Sequence, residues 1–433
     1  MKIIILGGGF GGLKLARKLS GKKDVEILLI DRVNYHQFQP LFYQVATAGL
    51  DASNISFPLR KVFHGEDNVR FCMAEVEGVL PEAKMVITNA GNFSYDKLVV
   101  ATGAGTNFFG NEQIEKNAFP MKSTSEALQL RHKFLHNFED ASRTSEVLKR
   151  KRLMTTVIVG GGPTGVELSG AIADMKRFVL PKDYPELDFN EMKIYLVEGT
   201  GKLLNGMSEK SGEQAKKYLD NLGVNVLLNS IVKEYNGDTV QLSDGTRLES
   251  NMVIWAAGIK GNVPDGIEKE MIVRGNRIRV NRKCEVEGLQ NIYAIGDVAY
   301  MEEPQWPKGH PQVAPVAMQQ AALLAKNFLA ELKGETQKEF HYKDKGSMAT
   351  VGRNLAVVDV PKPKLHFGGL FAWLIWMSLH LMLILGVKNR FFVFWNWVYN
   401  YFTKDQNLRL IIKEFYREPD VNVPPLRKQE MQA

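Results

Sequence analysis

Two glycine-rich segments have the residue types and the spacing that phosphate binding requires. Each follows a short apolar run, and the glycines occupy equivalent positions: Gly7, Gly9 and Gly12 in the first segment, Gly160, Gly162 and Gly165 in the second. In a strand-to-helix turn with this spacing, the first glycine allows the tight turn. The second lets the backbone approach a pyrophosphate, and the third lets the helix pack closely on the strand. Two such turns predict two dinucleotide sites, which suits electron transfer between two nucleotide cofactors.

An acidic residue ends the second predicted strand of each unit. Asp31 follows the apolar run 25–30, and Glu198 follows the run 193–197. A carboxylate at this position holds a ribose hydroxyl and repels a 2′-phosphate, so Glu198 favours NADH over NADPH, although the nearby Lys202 weakens that preference. The second unit is longer because it contains a proline- and acid-containing segment, which predicts an insertion between its helix and its strand.

The composition of the chain excludes several kinds of site. Its 433 residues can form two or three domains. Two cysteines, Cys72 and Cys284, are too few for a disulfide framework or a zinc site and are typical of a reducing compartment. The sequence contains no His and Cys cluster for a metal and no acidic calcium loop, and we expect no nucleic-acid partner. The apolar run after Lys2 leads directly into the first glycine turn, so it predicts a strand rather than an export signal.

Strands and helices that could hold these turns alternate up to about residue 330, which predicts doubly wound parallel sheets. A helix over 123–152 is predicted between the two nucleotide units. Two further strands, over 96–104 and 252–258, end in small-residue turns, and a third ends in Gly296 and Asp297. An aspartate there can accept hydrogen bonds from a ribityl chain while the glycine allows close approach. These segments therefore predict a flavoprotein.

The order of these segments along the chain resembles that of the two-dinucleotide flavoprotein reductases. The resemblance implies that the first glycine turn and the Gly296–Asp297 segment hold FAD, that the second turn holds NADH, and that the NADH domain is inserted into the FAD domain. Within that superfamily the chain resembles the type II NADH:quinone oxidoreductases, which are single-subunit, non-pumping NADH dehydrogenases. The segments 36–46, 162–168 and 314–320 carry this narrower resemblance.

The resemblance implies an α/β fold with two Rossmann-like doubly wound domains and a C-terminal amphipathic helical segment that anchors the protein to a membrane. We expect the FAD domain in two parts, 1–118 and 261–335, the NADH domain at 119–260, and the membrane-associating domain at 336–433. The expected FAD contacts are Gly7, Gly9, Phe10, Gly12, Asp31, Arg32, Val76, Ala101, Thr102, Gly103, Gly296, Asp297 and Ala317. The expected NADH contacts are Gly160, Gly162, Gly165, Glu198, Ala257 and Gly258.

The expected chemistry takes place on the flavin rather than on cysteine. Disulfide reductases and sulfide:quinone oxidoreductases need cysteines beside the flavin, and this chain has no such pair, so Cys72 is expected to be packing within a strand. NADH would deliver a hydride to the flavin, and two electrons would pass to a quinone, which also takes up two protons. The resemblance assigns nicotinamide positioning or proton supply to Glu167 and a place at the quinone pocket to Gln319. Pro315 replaces another glutamine that the family usually has there.

The C-terminal part of the chain changes in composition. Residues 368–387 carry no charge, residues 391–402 are rich in aromatic side chains, and the chain from residue 361 contains ten Lys and Arg against five Asp and Glu. Three structures are compatible with this composition: a transmembrane helix, a buried core or dimer helix, and helices that lie in the membrane interface. We favour interfacial helices on the cytoplasmic face of the membrane. The resemblance places a basic residue near the quinone, and Lys388 is the best match, with Arg390 the alternative.

Two other functions stay open at this point. A soluble NADH:ferredoxin-type reductase would use the same two cofactors and an acidic iron–sulfur partner, but it would not need the aromatic tail. A flavoprotein that binds NADH as a sensor would turn over slowly. The sequence specifies neither the quinone nor the order of substrate binding, and it leaves a homodimer open.

Overall fold

Each glycine-rich turn joins the first strand of a parallel sheet to a helix. The computed structural model describes residues 1–412. The chain begins with β1 (Lys2–Leu6), α1 (Phe10–Leu19), β2 (Glu26–Asp31), β3 (Tyr35–Gln37), α2 (Phe42–Ala46), β4 (Ser56–Pro58), α3 (Leu59–Val62), β5 (Val69–Met73), β6 (Val76–Leu80), β7 (Met85–Thr88), β8 (Gly91–Ser94), β9 (Lys97–Val100), β10 (Ala104–Thr106) and α4 (Glu112–Asn117).

The second nucleotide unit follows. It contains β11 (Phe119–Pro120), α5 (Thr124–Arg143), α6 (Val147–Leu153), β12 (Thr155–Val159), α7 (Pro163–Phe178), α8 (Leu180–Asp183), β13 (Lys193–Val197), α9 (Glu209–Asn221), β14 (Asn225–Leu227), β15 (Val232–Tyr235), β16 (Thr239–Leu242), β17 (Arg247–Glu249) and β18 (Met252–Trp255). The chain then continues through β19 (Ile259–Gly261), β20 (Ile272–Val273), β21 (Arg277–Arg279), β22 (Ile292–Ala294), β23 (Ala299–Tyr300) and α10 (Ala314–Leu332).

Two five-stranded sheets form the centre of the fold. The first has the order β22-β9-β1-β2-β5 and the second the order β11-β18-β12-β13-β14, and every neighbouring pair in both is parallel. Buried parallel strands need apolar residues on both faces, which the runs at β1 and β12 supply. Strand β22 completes the first sheet although it follows the whole second sheet in sequence, as expected for an inserted domain. The doubly wound α/β prediction is confirmed, while the domain limits stay predictions.

The predicted single helix over 123–152 is wrong, because the structure contains two helices there. Helix α5 begins after Ser123, whose hydroxyl accepts a hydrogen bond from the Glu126 amide, and it ends at Arg143. Thr144 adopts an extended backbone before α6 begins at Val147. Hydroxyl side chains such as Thr144 and its neighbour Ser145 compete for backbone hydrogen bonds and so favour a break over a continuous helix.

The C-terminal part begins with a small antiparallel sheet that the sequence did not predict. It contains β24 (Ser347–Thr350), β25 (Ala356–Val360) and β26 (Leu365–Gly368), and it is followed by α11 (Gly369–Leu383) and α12 (Val387–Thr403). The uncharged run is broken at Gly386, which has a φ of +80°. Among residues 1–412, no helix has the length and apolar character needed to cross a bilayer. Residues 413–433 of the predicted fourth domain lie outside the described residues.

Candidate functional site

The first glycine turn is built around close backbone contacts. Gly7 has a φ of +103°, and a Cβ atom there would lie 2.4 Å from the Ala101 carbonyl oxygen. A Cβ on Gly12 would lie 1.9 Å from the Gly7 carbonyl oxygen, whereas one on Gly9 would meet no atom within 4 Å. Gly7 and Gly12 are therefore required by the turn itself. Gly9 leaves open space at the start of α1, where a pyrophosphate can approach.

The second turn repeats this geometry. Gly160 has a φ of +113°, and its Cβ would lie 2.7 Å from the Ala256 carbonyl group. A Cβ on Gly165 would lie 1.9 Å from the Gly160 carbonyl oxygen, and one on Gly162 would meet nothing within 4 Å. Neither α1 nor α7 has an acidic residue in its first turn, so both helix N-termini can face a phosphate. Both cradles fit a dinucleotide.

The two acidic residues bend back onto their own glycine turns. One carboxylate oxygen of Asp31 accepts a hydrogen bond of 2.6 Å from the Gly8 amide. In the same way, Glu198 Oε2 accepts one of 2.6 Å from the Gly161 amide, and its Oε1 accepts from the Thr200 amide at 2.8 Å. Burial raises the pKa of Asp31, and the backbone hydrogen bonds oppose that shift. Each acid thus lies at the turn where a ribose would follow the phosphates.

Replacing Glu198 with glutamine is expected to reduce the preference for NADH over NADPH about ten-fold. The glutamine keeps the shape of the side chain but loses the charge that repels a 2′-phosphate. The measurement is the ratio of kcat/KM for the two nucleotides, with Glu209→Gln, the same change at an exposed position of α9, as the control. An unchanged ratio in Glu198→Gln would remove this carboxylate from nucleotide selection.

The predicted flavin segment meets the first turn through small side chains. A Cβ on Gly296 would lie 3.1 Å from the Ala317 Cβ, and one on Gly11 would lie 3.6 Å from the same atom. The Gly296 amide donates a hydrogen bond of 2.7 Å to Gln320 Oε1. Burial raises the pKa of Asp297, while the positive charges of Lys122 and Arg277 lower it. A half-buried carboxylate beside closely packed small residues fits the hydroxyl-rich chain of FAD.

Other predicted FAD contacts lie at the carboxyl edge of the first sheet and beside it. Thr102 Oγ1 donates to the Asn262 carbonyl oxygen at 2.5 Å, and Gly103 has a φ of +69°. The Phe10 ring contacts the His36 ring edge-on at 5.2 Å. The remaining two predictions differ in exposure: Arg32 is exposed and Val76 is half-buried at the start of β6.

The predicted NADH contacts Ala257 and Gly258 follow β18, which pairs with β12 in the second sheet. Gly258 has a φ of +78°, and a Cβ there would lie 2.6 Å from the Phe109 ring. Ala257 packs beside the apolar cluster that contains Val157 and Trp255. Both residues therefore lie at the same sheet edge as the Gly160 turn.

Glu167 lies where the two nucleotide units meet. Its side chain lines a cavity of about 60 Å³ together with Thr164 from its own helix, Tyr43, and Lys122, whose charge acts on Asp297. Burial raises the pKa of Glu167 to about 8, and the Thr350 amide, 3.4 Å away, opposes the shift. The carboxyl group is therefore protonated at neutral pH and faces a cavity that contacts both units.

A tryptophan from α11 covers this carboxyl group. Trp376 is 1% exposed, and its ring lies 6.3 Å from the Tyr43 ring and stacks on the His380 ring at 4.0 Å. Its indole nitrogen has no acceptor of normal hydrogen-bond geometry, although it lies near enough to Glu167 to favour the ionised carboxylate. Burial lowers the pKa of His380 to about 4, so this imidazole is neutral. The C-terminal part of the chain thus completes the site.

The structure does not bring the other two predicted catalytic residues into the Glu167 cavity. Gln319 exchanges two hydrogen bonds with the backbone of Lys343, at 3.0 and 3.1 Å. Lys388 is exposed and lines a different groove, with its ammonium 5.7 Å from the centre of the Phe392 ring. Pro315 lies in the first turn of α10. The assigned quinone roles of Gln319 and Lys388 stay predictions.

Cys72 packs against the apolar core of the first unit, as expected. Cys72 lies in β5, and Cys284 is buried, with burial raising the pKa of its thiol to about 12. Both are free. Among residues 1–412, no group of His, Cys, Asp and Glu could hold a metal ion.

Several residues at the site were missed by the sequence analysis. They are Tyr43, Lys122, Gln320, Thr350 and Trp376. For Gln320 a signal existed, because it shares the buried face of α10 with Ala317, Ala321 and Leu324, at helical spacing. For Trp376 and Thr350 there was none, since both reach Glu167 through long-range folding.

Comparison with known proteins agrees with this geometry. The family model described as pyridine nucleotide-disulphide oxidoreductase matches residues 1–321, and the one described as NDH2 C-terminal domain matches residues 344–404. The chain therefore belongs to the pyridine nucleotide-disulphide oxidoreductase class of two-dinucleotide flavoproteins, although it lacks the cysteine pair that the name suggests.

The relatives define the family more narrowly. Two type II NADH:quinone oxidoreductases of Mycobacterium tuberculosis, Ndh and NdhA, are 37% and 35% identical to the chain; each match covers 92% of it and 87% and 86% of the relatives. The solved structure of NDH2 from Plasmodium falciparum in complex with NADH shares the fold, with a TM-score of 0.85 at 24% identity over 95% of this chain and 99% of that one. This chain belongs to the type II NADH:quinone oxidoreductase family.

Proposed function

We propose that this protein is a membrane-attached flavoenzyme that oxidises NADH and reduces a membrane quinone without pumping protons. The observation that carries the proposal is the cavity beside Glu167, which residues of both nucleotide units line. Bound FAD supplies the redox chemistry, since it can accept a hydride from NADH and give two electrons to a quinone. The chain binds both nucleotides, orients them, and manages protons.

Binding and orientation follow from the two glycine turns. The open space at Gly9 and Gly162 receives the two pyrophosphates, and Asp31 and Glu198 hold the ribose hydroxyls. The Gly296–Asp297 segment and Ala317 hold the FAD against the first sheet. Because α7 begins at the NADH turn and carries Glu167 one turn later, Glu167 and the shared cavity would position the nicotinamide of a nucleotide held at that turn.

Glu167 is proposed to supply a proton to the quinone. A carboxyl group with a pKa of about 8 holds its proton at neutral pH and can release it to a reduced quinone oxygen. Trp376 and Tyr43 cover this group and limit its contact with bulk water. Glu167 would supply one of the two protons that the quinone takes up; the second proton, and the one that restores Glu167, would come from solvent. Gln319 is proposed to lie at the quinone pocket, as its family position implies.

The exposed apolar surface of α11 and α12 is proposed to enter the cytoplasmic face of the membrane. Its members include Leu370, Phe371, Leu374, Met382, Leu383, Val387, Phe391, Phe394, Trp395 and Phe402. Aromatic residues flanked by Lys388 and Arg390 suit a lipid interface. The same surface is the candidate interface for a homodimer, and we favour lipid because a quinone must enter from the bilayer.

Replacing Met382 and Phe402 with glutamate is expected to move the protein from the membrane pellet to the supernatant. The two side chains are 71% and 78% exposed, and each loses about 2 kcal/mol of apolar burial in lipid. The control is Leu148→Glu, since Leu148 on α6 is also 71% exposed. Unchanged sedimentation of the double variant would contradict this surface. Point substitutions are preferable to deletion because Trp376 and Trp397 belong to the core.

The overall proposal is tested by NADH oxidation with two acceptors, a soluble quinone analogue and an oxidised iron–sulfur protein. We expect rapid turnover with the quinone only. Turnover with the iron–sulfur protein alone would instead indicate a ferredoxin-type reductase.

A further inference from the structure

A groove of about 700 Å³ lies where the beginning of α12 packs on the loop before β4. Two exposed lysines from distant parts of the sequence, Lys61 and Lys388, line it together. The Lys61 ammonium lies 5.8 Å from the centre of the Phe57 ring, and that of Lys388 lies 5.7 Å from the Phe392 ring. The groove therefore presents two positive charges held over aromatic walls.

The two sides of this groove are fixed against each other. Asn389 Nδ2 donates a hydrogen bond of 3.2 Å to the Ser56 carbonyl oxygen. The Phe57 ring packs so closely on Gly386 that a Cβ there would lie 2.5 Å from it. These contacts fix the start of α12, which carries Lys388, against the segment that leads into α3, which carries Lys61.

One carboxylate, Asp51, also lines the groove. Its Oδ1 accepts hydrogen bonds from the amide and the hydroxyl of Ser53, at 2.8 and 2.5 Å. These local bonds hold it within its own turn, and its charge also interacts with that of the buried Arg131. The lysines are consequently left to meet an external anion.

Exposed apolar residues adjoin the groove in the chain. Val387, directly before Lys388, is 80% exposed, Phe391 is 54% exposed, and Phe392, which lines the groove, is 43% exposed. An anion that carries hydrocarbon chains would satisfy both features, because its charge would meet the lysines while its chains cover these side chains. A free phosphate would leave the apolar residues in water.

We propose that this groove binds the headgroup phosphate of one anionic phospholipid between Lys61 and Lys388. The inference rests on the proposed attachment to a membrane and gives that surface a specific lipid site. It also gives Lys388 a role at the headgroup, in agreement with its place in a different groove from Glu167.

The test is titration of the full-length holoprotein with a short-chain phosphatidylglycerol below its critical micelle concentration. Lys61→Gln and Lys388→Gln are each expected to weaken binding about ten-fold, since each removes one charge-assisted contact. The matched control is Lys404→Gln: Lys404 is also exposed and lies 5.2 Å from the Phe178 ring, but outside the groove. Lys404→Gln should bind the lipid as tightly as the parent protein does. The double variant with Lys61→Gln and Lys388→Gln should lose less affinity than the product of the two single fold-losses, because both lysines contact the same phosphate.

Three results would overturn the site. They are unchanged binding in either groove variant, equal binding of short-chain phosphatidylcholine, and displacement of the lipid by inorganic phosphate at equal concentration. Turnover with a soluble quinone is measured on the same samples, and Lys61→Gln should keep the parental rate. If the parent protein showed no turnover with the soluble quinone, the proposed function would be contradicted. The titration would still show whether the groove binds the lipid.

Discussion

Glu167→Gln should slow the reoxidation of the reduced flavin by quinone about 100-fold, while reduction of the flavin by NADH changes by no more than about three-fold. Glutamine occupies the same volume but has no proton to release. Stopped-flow absorbance of the flavin separates the two half-reactions. Glu167→Asp serves as a matched variant because it keeps an acidic group on the same helix, and it should retain part of the reoxidation rate.

The pH dependence of the parent protein follows from the raised pKa of Glu167. The protonated carboxyl group predominates below about pH 8, so the quinone half-reaction should decline as the pH rises through that value. In Glu167→Gln this decline should be absent. A decline of the same size in the glutamine variant would assign the titration to another group.

Stability gives an independent check on the same residue. The carboxyl group of the unfolded chain ionises near its ordinary pKa of 4.5, whereas the folded protein keeps it protonated up to about 8. Burial therefore destabilises the fold increasingly as the pH rises from 4.5 to 8, and the neutral glutamine removes this penalty. Glu167→Gln should therefore gain stability relative to the parent protein as the pH rises. The difference between their free energies of unfolding, variant minus parent, should be more positive at pH 8 than at pH 5.

Gly165→Ala should abolish reduction of the flavin by NADH while FAD stays bound. A Cβ atom at this position would lie 1.9 Å from the Gly160 carbonyl oxygen, so the second turn cannot keep its shape. The first turn lies in the other sheet and is untouched. The measurement is the flavin spectrum before and after addition of NADH, followed by chemical reduction of the flavin and addition of quinone, which should still reoxidise it.

Gly162→Ala separates ligand binding from turn geometry. Its Cβ would meet no protein atom within 4 Å, so the variant should fold normally and weaken NADH binding through the space that the pyrophosphate needs. Gly9→Ala is the counterpart in the first turn, since its Cβ also would meet no atom within 4 Å, and it should weaken FAD binding instead. If Gly165→Ala and Gly162→Ala both bound NADH normally, the second turn would not be the NADH site.

The sequence was most informative where a requirement is local. The glycine spacing and the acids at Asp31 and Glu198 are dictated by one turn and the strand beside it, and the structure places both acids on their turns. The interruption of the first sheet by the second could be expected only through the resemblance, because nothing local to β22 identifies its partner strand.

The environment of Glu167 could not be predicted, because it is made by distant segments. Thr350 comes from a small sheet that no sequence pattern predicts, and Trp376 comes from a helix whose composition favours a membrane surface. The apolar run at α11 serves two purposes at once, since one face covers Glu167 and the other is exposed. Composition alone does not separate these faces.

The most direct test of the account is double-mixing stopped flow, in which NADH reduces the flavin and the product is then mixed with membrane-embedded quinone. The account predicts complete flavin reduction in the first step and rapid reoxidation in the second, with the second step losing rate above about pH 8. A flavin that NADH reduces but quinone does not reoxidise would contradict the central claim.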